Sequence, residues 1–343
     1  MLDKRNRLTY WDVAKGFVII LVVLGHIGGI NKHLRNAIFS FHMPFFFIAN
    51  AFFIKEYKIK ECFIKSSKSL LLPYCVVCML AAVISVVQNK STVPDYSLFV
   101  KRIQDMFVGM SFTSKRFTEF ESVGMMWFVI CLFLARIIYV AFMHFWGRKN
   151  IYGALVILCF VSLLGMGPIK SYAYLPWSLD VAIVALPFMW FGDQLRRKEW
   201  MDRFNKLWIY MCVLILWCCY ERYGFHLEMA VRRYPGELFC LMQGIAGSIL
   251  CVGFARWFDK KSTIIKKGVL WCGENSMIIL AVHALEARFF PWRLCVFEKL
   301  PYLDNVIGIF CVRLVVILLV SWGIVTMKQE LAYMISCKKK IKV

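Results

Sequence analysis

Long apolar runs, separated by short polar breaks, follow one another along the chain from about residue 12 to residue 326. Most runs are roughly 17 to 25 residues long, which lets a helix cross about 30 Å of hydrocarbon. The pattern predicts an all-α, polytopic integral membrane protein with about ten transmembrane helices in a single domain, residues 1–343. The predicted spans are approximately 12–30, 37–54, 69–88, 124–143, 151–166, 174–192, 206–223, 237–257, 268–288 and 304–326.

The polar breaks carry a charge pattern that predicts orientation. More than half of the 42 Lys and Arg residues fall on the inner side if the N-terminus is cytoplasmic, as the positive-inside rule requires. We therefore expect both termini in the cytoplasm and the chain in the inner (cytoplasmic) membrane. The basic start resembles a signal peptide, but no small-residue cleavage site follows it, so we expect a retained first span.

Composition excludes several classes of function. The chain is 60% hydrophobic and has a net charge of +21, but its basic residues form short clusters between apolar runs. This distribution gives no reason to expect a nucleic-acid partner. The 14 cysteines are scattered through apolar segments and predict neither a disulfide framework nor a metal site. No P-loop, dinucleotide fingerprint or G-x-S-x-G motif occurs, so we expect a site built from side chains inside the membrane.

Four ionisable residues in the first two spans are the strongest sign of function: Asp12, Lys15, His26 and His42. Such groups are costly in a membrane. Lys15 and His26 are eleven residues apart, which places them on nearly one helix face with a rise of about 16 Å. Asp12 is one turn from Lys15 and can form an ion pair. A short break at 31–36 predicts a hairpin with both histidines at similar depth. Structural hydrogen bonds and a snorkelling lysine are the alternatives.

Two later motifs carry further polar candidates. The K-S-S-K motif before the third span places Lys65 and Lys68 one turn apart at the inner surface, where they suit an anionic ligand or serve as ordinary topology signals. The ninth span contains Glu274 and Asn275 in a G-E-N-S motif, followed by His283. We expect Glu274 in the inner half and His283 in the outer half; interhelical hydrogen bonding is the alternative role.

The longest predicted connection, 89–123, joins the third and fourth spans on the outer side. It contains Asp95, Asp105, Glu119 and Glu121 among aromatic residues. Loops of this length usually act as lids or binding segments. We therefore expect the connection to take part in binding.

Taken together, these motifs resemble the acyltransferase-3 family of membrane acyltransferases, especially its fucose 4-O-acetylases and related capsule or lipo-oligosaccharide O-acetyltransferases. The resemblance spans nearly the whole chain. It rests on Asp12, Lys15, Gly16 and His26, on F-S-F-H-M-P-F-F-F at 39–47, L-L-P-Y at 71–74, M-W-F-V-I-C-L-F at 126–133, L-P-F-M-W-F-G at 186–192, and G-E-N-S with His283.

The resemblance implies roles for particular residues. His26 corresponds to the histidine regarded as essential for acyl transfer, and Lys15 to a basic residue that is arginine in many relatives. Lys65 and Lys68 lie near the place of an arginine pair. The donor is then a cytoplasmic acyl-CoA, most simply acetyl-CoA, with no tightly bound cofactor. The acceptor is a sugar of a lipid-linked or surface glycan, which we expect to receive the group directly.

A mechanism follows in which His26 is the general base for the acceptor hydroxyl or carries the acyl group briefly. His42 can orient it or stabilise the oxyanion. The main alternative is a transporter of a polysaccharide subunit or small solute; a third is a silent membrane scaffold. The sequence leaves open the sugar, its hydroxyl, the acyl chain, the side on which transfer finishes, and whether the protein forms a homo-oligomer among membrane lipids.

Overall fold

The computed structural model describes residues 8–89, 96–111, 120–147, 150–170, 175–203, 206–224 and 226–341. These residues are predominantly helical, and the β-structure among them is an isolated bridge between Glu228 and Arg233. The all-α prediction is therefore confirmed.

The helices follow the apolar runs. In chain order they are α1 (Thr9–Gly25), α2 (Lys32–Phe52), α3 (Ile59–Gln88), α4 (Tyr96–Val108), α5 (Gly124–Trp146), α6 (Ile151–Ile169), α7 (Leu179–Val184), α8 (Leu186–Arg197), α9 (Leu207–Arg222), α10 (Leu238–Asp259), α11 (Ile264–Glu274), α12 (Ser276–Phe289) and α13 (Val306–Ile341). Short helical turns lie at Pro176–Ser178, Trp200–Arg203, Arg293–Phe297 and Pro301–Leu303.

Judged by helix length and hydropathy, the described residues contain fewer candidate membrane spans than the predicted ten. Among the described residues, five helices are long and apolar enough to cross a membrane: α3, α5, α6, α10 and α13. The pair α11 and α12 makes a sixth if it is one broken span. By contrast, α1 has 17 residues and is about 26 Å long, shorter than typical hydrocarbon thickness. The chain is a multi-pass membrane protein, and the count of ten stays a prediction.

Two helices differ from the predicted spans in ways that affect the candidate site. The third span begins earlier, because α3 starts at Ile59, and Lys65 and Lys68 therefore lie within the helix rather than before it. The ninth span is broken, since α11 and α12 meet at Asn275 with a bend of 77°. The Asn275 backbone N–H and side-chain amide both donate to the Trp271 carbonyl oxygen, at 3.1 and 2.9 Å. This residue therefore ends α11.

The long connection also contains regular structure, because α4 lies within it. Arg102 donates to Asp105 at 3.1 Å and to Glu121 at 2.6 Å. The Glu121 backbone N–H donates to Asp105 at 2.8 Å. These contacts fix the end of the connection to α4, and its role in binding stays a prediction. Asp95 and Glu119 lie outside the described residues.

Contacts divide the chain into two compact units, which we call unit 1 and unit 2. Unit 1 comprises Met1–Ile30 and Phe258–Val343, and unit 2 comprises Asn31–Trp257. Unit 1 therefore contains both ends of the chain and, within it, α1, α11, α12 and α13. The single-domain prediction stays a prediction.

Unit 2 is organised around a buried carboxylate. Asp193 of α8 is fully buried and accepts hydrogen bonds from the Tyr57 and Tyr139 hydroxyls and from Arg197 Nε, which is 2.7 Å away. A buried carboxylate is tolerated when such donors replace water. The three bonds connect the segment after α2 with α5 and α8.

Unit 1 is held by a very close approach of α1 and α11. A Cβ atom added to Gly16 would lie 1.9 Å from the Val269 carbonyl oxygen, and one added to Gly273 would lie 1.6 Å from the Asp12 carbonyl oxygen. Real Cβ atoms do not occupy such positions. Small residues are favoured between membrane helices because they let backbones touch. The two glycines therefore set the spacing between α1 and α11.

We predict that Gly16→Ala and Gly273→Ala each destabilise the protein by about 1–3 kcal/mol or more, because rigid backbone atoms must move apart. The measurement is thermal unfolding of the purified protein in detergent. Gly268→Ala, also on α11, is the matched control, since nothing lies within 4 Å of its added Cβ. Equal melting temperatures for all three variants would contradict the proposed packing.

Candidate active site

His26 directly follows the last residue of α1 and is partly buried. Its Nδ1 lies 2.8 Å from the Val22 carbonyl oxygen. Because a carbonyl oxygen only accepts hydrogen bonds, the proton must be on Nδ1. In the neutral ring the lone pair is then on Nε2, the atom that can act as a base.

His283 of α12 packs its ring edge against the ring of His26. The two ring centroids are 5.5 Å apart and the ring planes meet at 77°. His283 is fully buried, and its Nδ1 lies 2.6 Å from Glu286 Oε1. The structure thus brings together two predicted site residues that are separated by more than 250 positions in the sequence.

The Glu286 carboxylate is the centre of the surrounding polar network. Its Oε1 also accepts a hydrogen bond from Arg313 Nη2 at 2.7 Å, and its Oε2 accepts one from Trp292 Nε1. The Arg313 guanidinium lies over the Trp292 ring, 5.7 Å from its centroid. Arg313 balances the carboxylate charge, so Glu286 stays an acceptor that can orient His283.

This arrangement suits proton transfer. A carboxylate that accepts from Nδ1 fixes the tautomer of an imidazole and leaves Nε2 as the basic atom. Nε2 of His283 is buried and has no hydrogen-bond partner among the described residues. Two imidazoles in contact, each protonated on Nδ1 when neutral, can accept a proton from a hydroxyl group or pass one between them.

Asp12 and Lys15 form the predicted ion pair on α1. Lys15 Nζ lies 2.6 Å from Asp12 Oδ1, and Asp12 is buried whereas Lys15 is partly exposed. The contact between Gly273 and the Asp12 backbone places exposed Glu274 beside this pair along α11. Thus Asp12, Lys15, Glu274 and Asn275 lie around the contact of α1 with the end of α11.

The other predicted site residues belong to unit 2. His42 is buried in α2, its Nδ1 donates to the Ile38 carbonyl oxygen at 3.0 Å, and its ring edge contacts Phe39. This hydrogen bond is of the kind named as the structural alternative, and the predicted role of His42 beside His26 stays a prediction. Lys65 and Lys68 are exposed on α3, and Lys65 Nζ lies 3.4 Å from Glu61.

Sequence reasoning did not include Glu286, Arg313 and Trp292 among the site residues. A signal existed for Glu286, since it follows His283 by one helical turn and is ionisable inside an apolar run. Arg313 is likewise a charged residue in the last apolar run. Their pairing joins two different helices, so spacing alone could not reveal it.

Unit 1 also contains an apolar groove of about 610 Å³. Among the residues lining it are Ile20, Val269, Cys272, Leu318 and Trp322, and neither site histidine contributes to the lining. Its walls can take up hydrocarbon, and the ionisable group among its lining residues is the Cys272 thiol. The histidine pair and its polar network, rather than this groove, are therefore the candidate active site.

The fold and this site together describe a multi-pass membrane protein in which a partly buried histidine contacts a fully buried one, a pair suited to group transfer. Comparison with known families is consistent with that class, because a family model described as an acyltransferase domain matches residues 8–326. The chain therefore belongs to the acyltransferase-3 family, and it is an acyltransferase. No curated protein and no solved structure was found to match it.

We predict that Glu286→Gln destabilises the protein by about 3–5 kcal/mol, because it leaves the buried Arg313 guanidinium without a countercharge. The double variant Glu286→Gln/Arg313→Met should recover most of that loss, since it removes the unpaired charge. Thermal unfolding in detergent measures both effects, with Glu330→Gln on the exposed part of α13 as the control. A double variant no more stable than the single variant would contradict the pairing.

Proposed function

We propose that this protein transfers an acetyl or other short acyl group from cytoplasmic acyl-CoA to a hydroxyl of a cell-envelope or exported glycan. It belongs, in this proposal, to the fucose 4-O-acetylase-like branch and lies in the inner membrane with both termini in the cytoplasm. The observation that carries the proposal is the contact between His26 and His283, with Glu286 bonded to Nδ1 of His283.

The proposed reaction begins with His26 as general base. Its Nε2 takes the proton of the acceptor hydroxyl while the hydroxyl oxygen attacks the thioester carbonyl carbon. The new C–O bond forms, the C–S bond breaks, and the proton passes from the imidazolium to the departing thiolate. The products are the ester and free CoA, so neither an oxidant nor a metal ion is required.

His283 supports His26 in this proposal. When His26 gains a proton, the adjacent Nε2 lone pair of His283 can share it, and Glu286 holds His283 in the tautomer that makes this sharing feasible. His42 has the secondary role of orienting His26 or stabilising the oxyanion. This role rests on the resemblance and on the order of the first two spans.

In this proposal the basic residues bind the donor, acyl-CoA. The partly exposed Lys15 ammonium is oriented by Asp12 and attracts the negative charge of acyl-CoA. Lys65 and Lys68, exposed on α3, offer further positive charge for its phosphates. Asn275 keeps α11 and α12 at their angle, and Glu274 lies next to Lys15's ion partner. Lysine is a point charge without the bidentate geometry of arginine, so it attracts a phosphate without clamping it.

We predict that His26→Ala lowers kcat for acyl transfer by about 10²–10⁴-fold, the usual loss for a general base. Purified protein in vesicles, supplied with radiolabelled acetyl-CoA and an acceptor glycan, provides the measurement. His33→Ala, at an exposed position at the start of α2, is the matched control. Full activity in a His26→Ala variant that inserts and accumulates normally would contradict the assigned role.

We predict that Lys15→Ala raises the apparent KM for acetyl-CoA more than Lys15→Arg does, because only the first change removes the charge. The same vesicle assay gives KM and kcat separately, and the KM for the acceptor serves as the internal reference. Equal KM values for acetyl-CoA in both variants and the parent protein would rule out donor binding by Lys15.

A further inference from the structure

A small hairpin in unit 2 shows that one end of this unit is rigidly built. The Glu228 and Arg233 backbones exchange two hydrogen bonds of 3.0 Å. Between them, Arg232 is buried with a φ of 58°, and its Nε lies 2.7 Å from the buried Asp180 carboxylate. A left-handed non-glycine residue persists only where its surroundings enforce it. The ion pair with Asp180 supplies that enforcement.

His226 lies at the start of this hairpin and lacks a partner. It is 5% exposed, and its Nε2 has no hydrogen-bond partner in the part of the chain that the structure describes. Buried polar atoms are normally satisfied, and leaving one unpaired is costly. Within the described residues the atom is therefore available to a ligand.

Positive charge converges on His226 from two separate segments. Lys32 and Arg35 of α2 and Arg233 of the hairpin all act electrostatically on its ring, together with one carboxylate, Glu228. Burial first, and then the nearby Arg233, lower the pKa of His226 below its ordinary value. The lowered pKa favours the neutral ring, which can donate a hydrogen bond from Nε2 in the tautomer that carries its proton there.

The balance of these charges favours an anion. Glu228 is paired with Arg35 at 2.8 Å, whereas Lys32 and Arg233 are exposed cations that both act electrostatically on His226. The N-terminus of α2 adds the positive end of a helix dipole. Three cations facing one carboxylate match the multiple charge of a phosphate group better than the single charge of a carboxylate.

Exposed apolar side chains lie next to these cations. Leu34, between Lys32 and Arg35, is 46% exposed, and Val231, beside the hairpin arginines, is 42% exposed. Alternation of exposed apolar and basic residues is typical of segments at a membrane surface. A ligand with both a phosphate and a hydrocarbon chain would contact both kinds of side chain.

We propose that Lys32, Arg35, Arg233 and His226 form a site for the phosphate group of a membrane-anchored molecule. The three cations attract the phosphate, and the His226 imidazole donates to one of its oxygens. This site lies apart in sequence from the proposed catalytic residues of unit 1. It does not depend on the proposed acyl transfer, and its test measures binding in the absence of acyl-CoA.

The test uses the purified full-length protein in detergent, with phosphatidic acid as the probe and native mass spectrometry as the readout. We expect Lys32→Gln/Arg233→Gln to weaken binding by about ten- to thirtyfold, the effect of removing two interfacial cations. Lys260→Gln/Lys261→Gln, at two exposed positions in unit 1, makes the same change in net charge and should leave the affinity within about twofold.

Variants of His226 distinguish a specific binding site from a surface that attracts phosphate by charge alone. His226→Leu should weaken phosphatidic acid binding by about tenfold or more, the value of one hydrogen bond to a charged group, while His33→Leu at the exposed start of α2 should not. A second titration with inorganic phosphate tests the membrane anchor. Binding of inorganic phosphate as tight as that of phosphatidic acid would overturn the anchored ligand. Equal weakening in the paired variants, or no binding, would overturn the site.

Discussion

The Glu286 carboxylate is the group on which the candidate site depends. It lies in a low-dielectric region where an ionised group is costly, and it is made tolerable by three donors from three different positions: His283, Trp292 and Arg313. The same bonds that stabilise its charge fix the tautomer of His283 and hold α12 against α13. The contacts that stabilise this part of the fold are therefore the same ones that orient His283, and a substitution that removes one of them affects both. Asp193 shows the same solution in unit 2, where two tyrosines and an arginine surround a carboxylate.

The apolar runs were enough to predict an all-helical membrane protein, because each backbone in hydrocarbon must satisfy its own hydrogen bonds. They did not reveal the break at Asn275, since G-E-N-S contains no proline and the residues on both sides are apolar. The number of spans was also hard to infer. Helix α1 is short, and the polar start of α2 lowers its mean hydropathy, although both occupy predicted spans.

The candidate site was predictable where the relevant contacts are local. The ion pair of Asp12 with Lys15 follows from one helical turn, and the structure confirms it. His283 was singled out as an ionisable residue in an apolar run, but its contact with His26 depends on how distant helices pack. Glu286 could have been recognised from its spacing of one helical turn after His283. Arg313 could not, because it neutralises the Glu286 carboxylate from a different helix. Pairings between distant helices can be recognised only when the fold is known.

The division of the chain also bears on how the protein is made. Helix α1 is synthesised first, but its packing partner α11 follows only after the whole of unit 2. In the predicted ten-span topology, α1 lies in the membrane during that interval without the neighbour that will cover Asp12. The salt bridge to Lys15 lies within α1 itself and balances the Asp12 charge before α11 is made. The late arrival of α11 then brings Gly273 against the Asp12 backbone, and because glycine has no side chain, Gly273 itself loses no rotamer freedom in this contact.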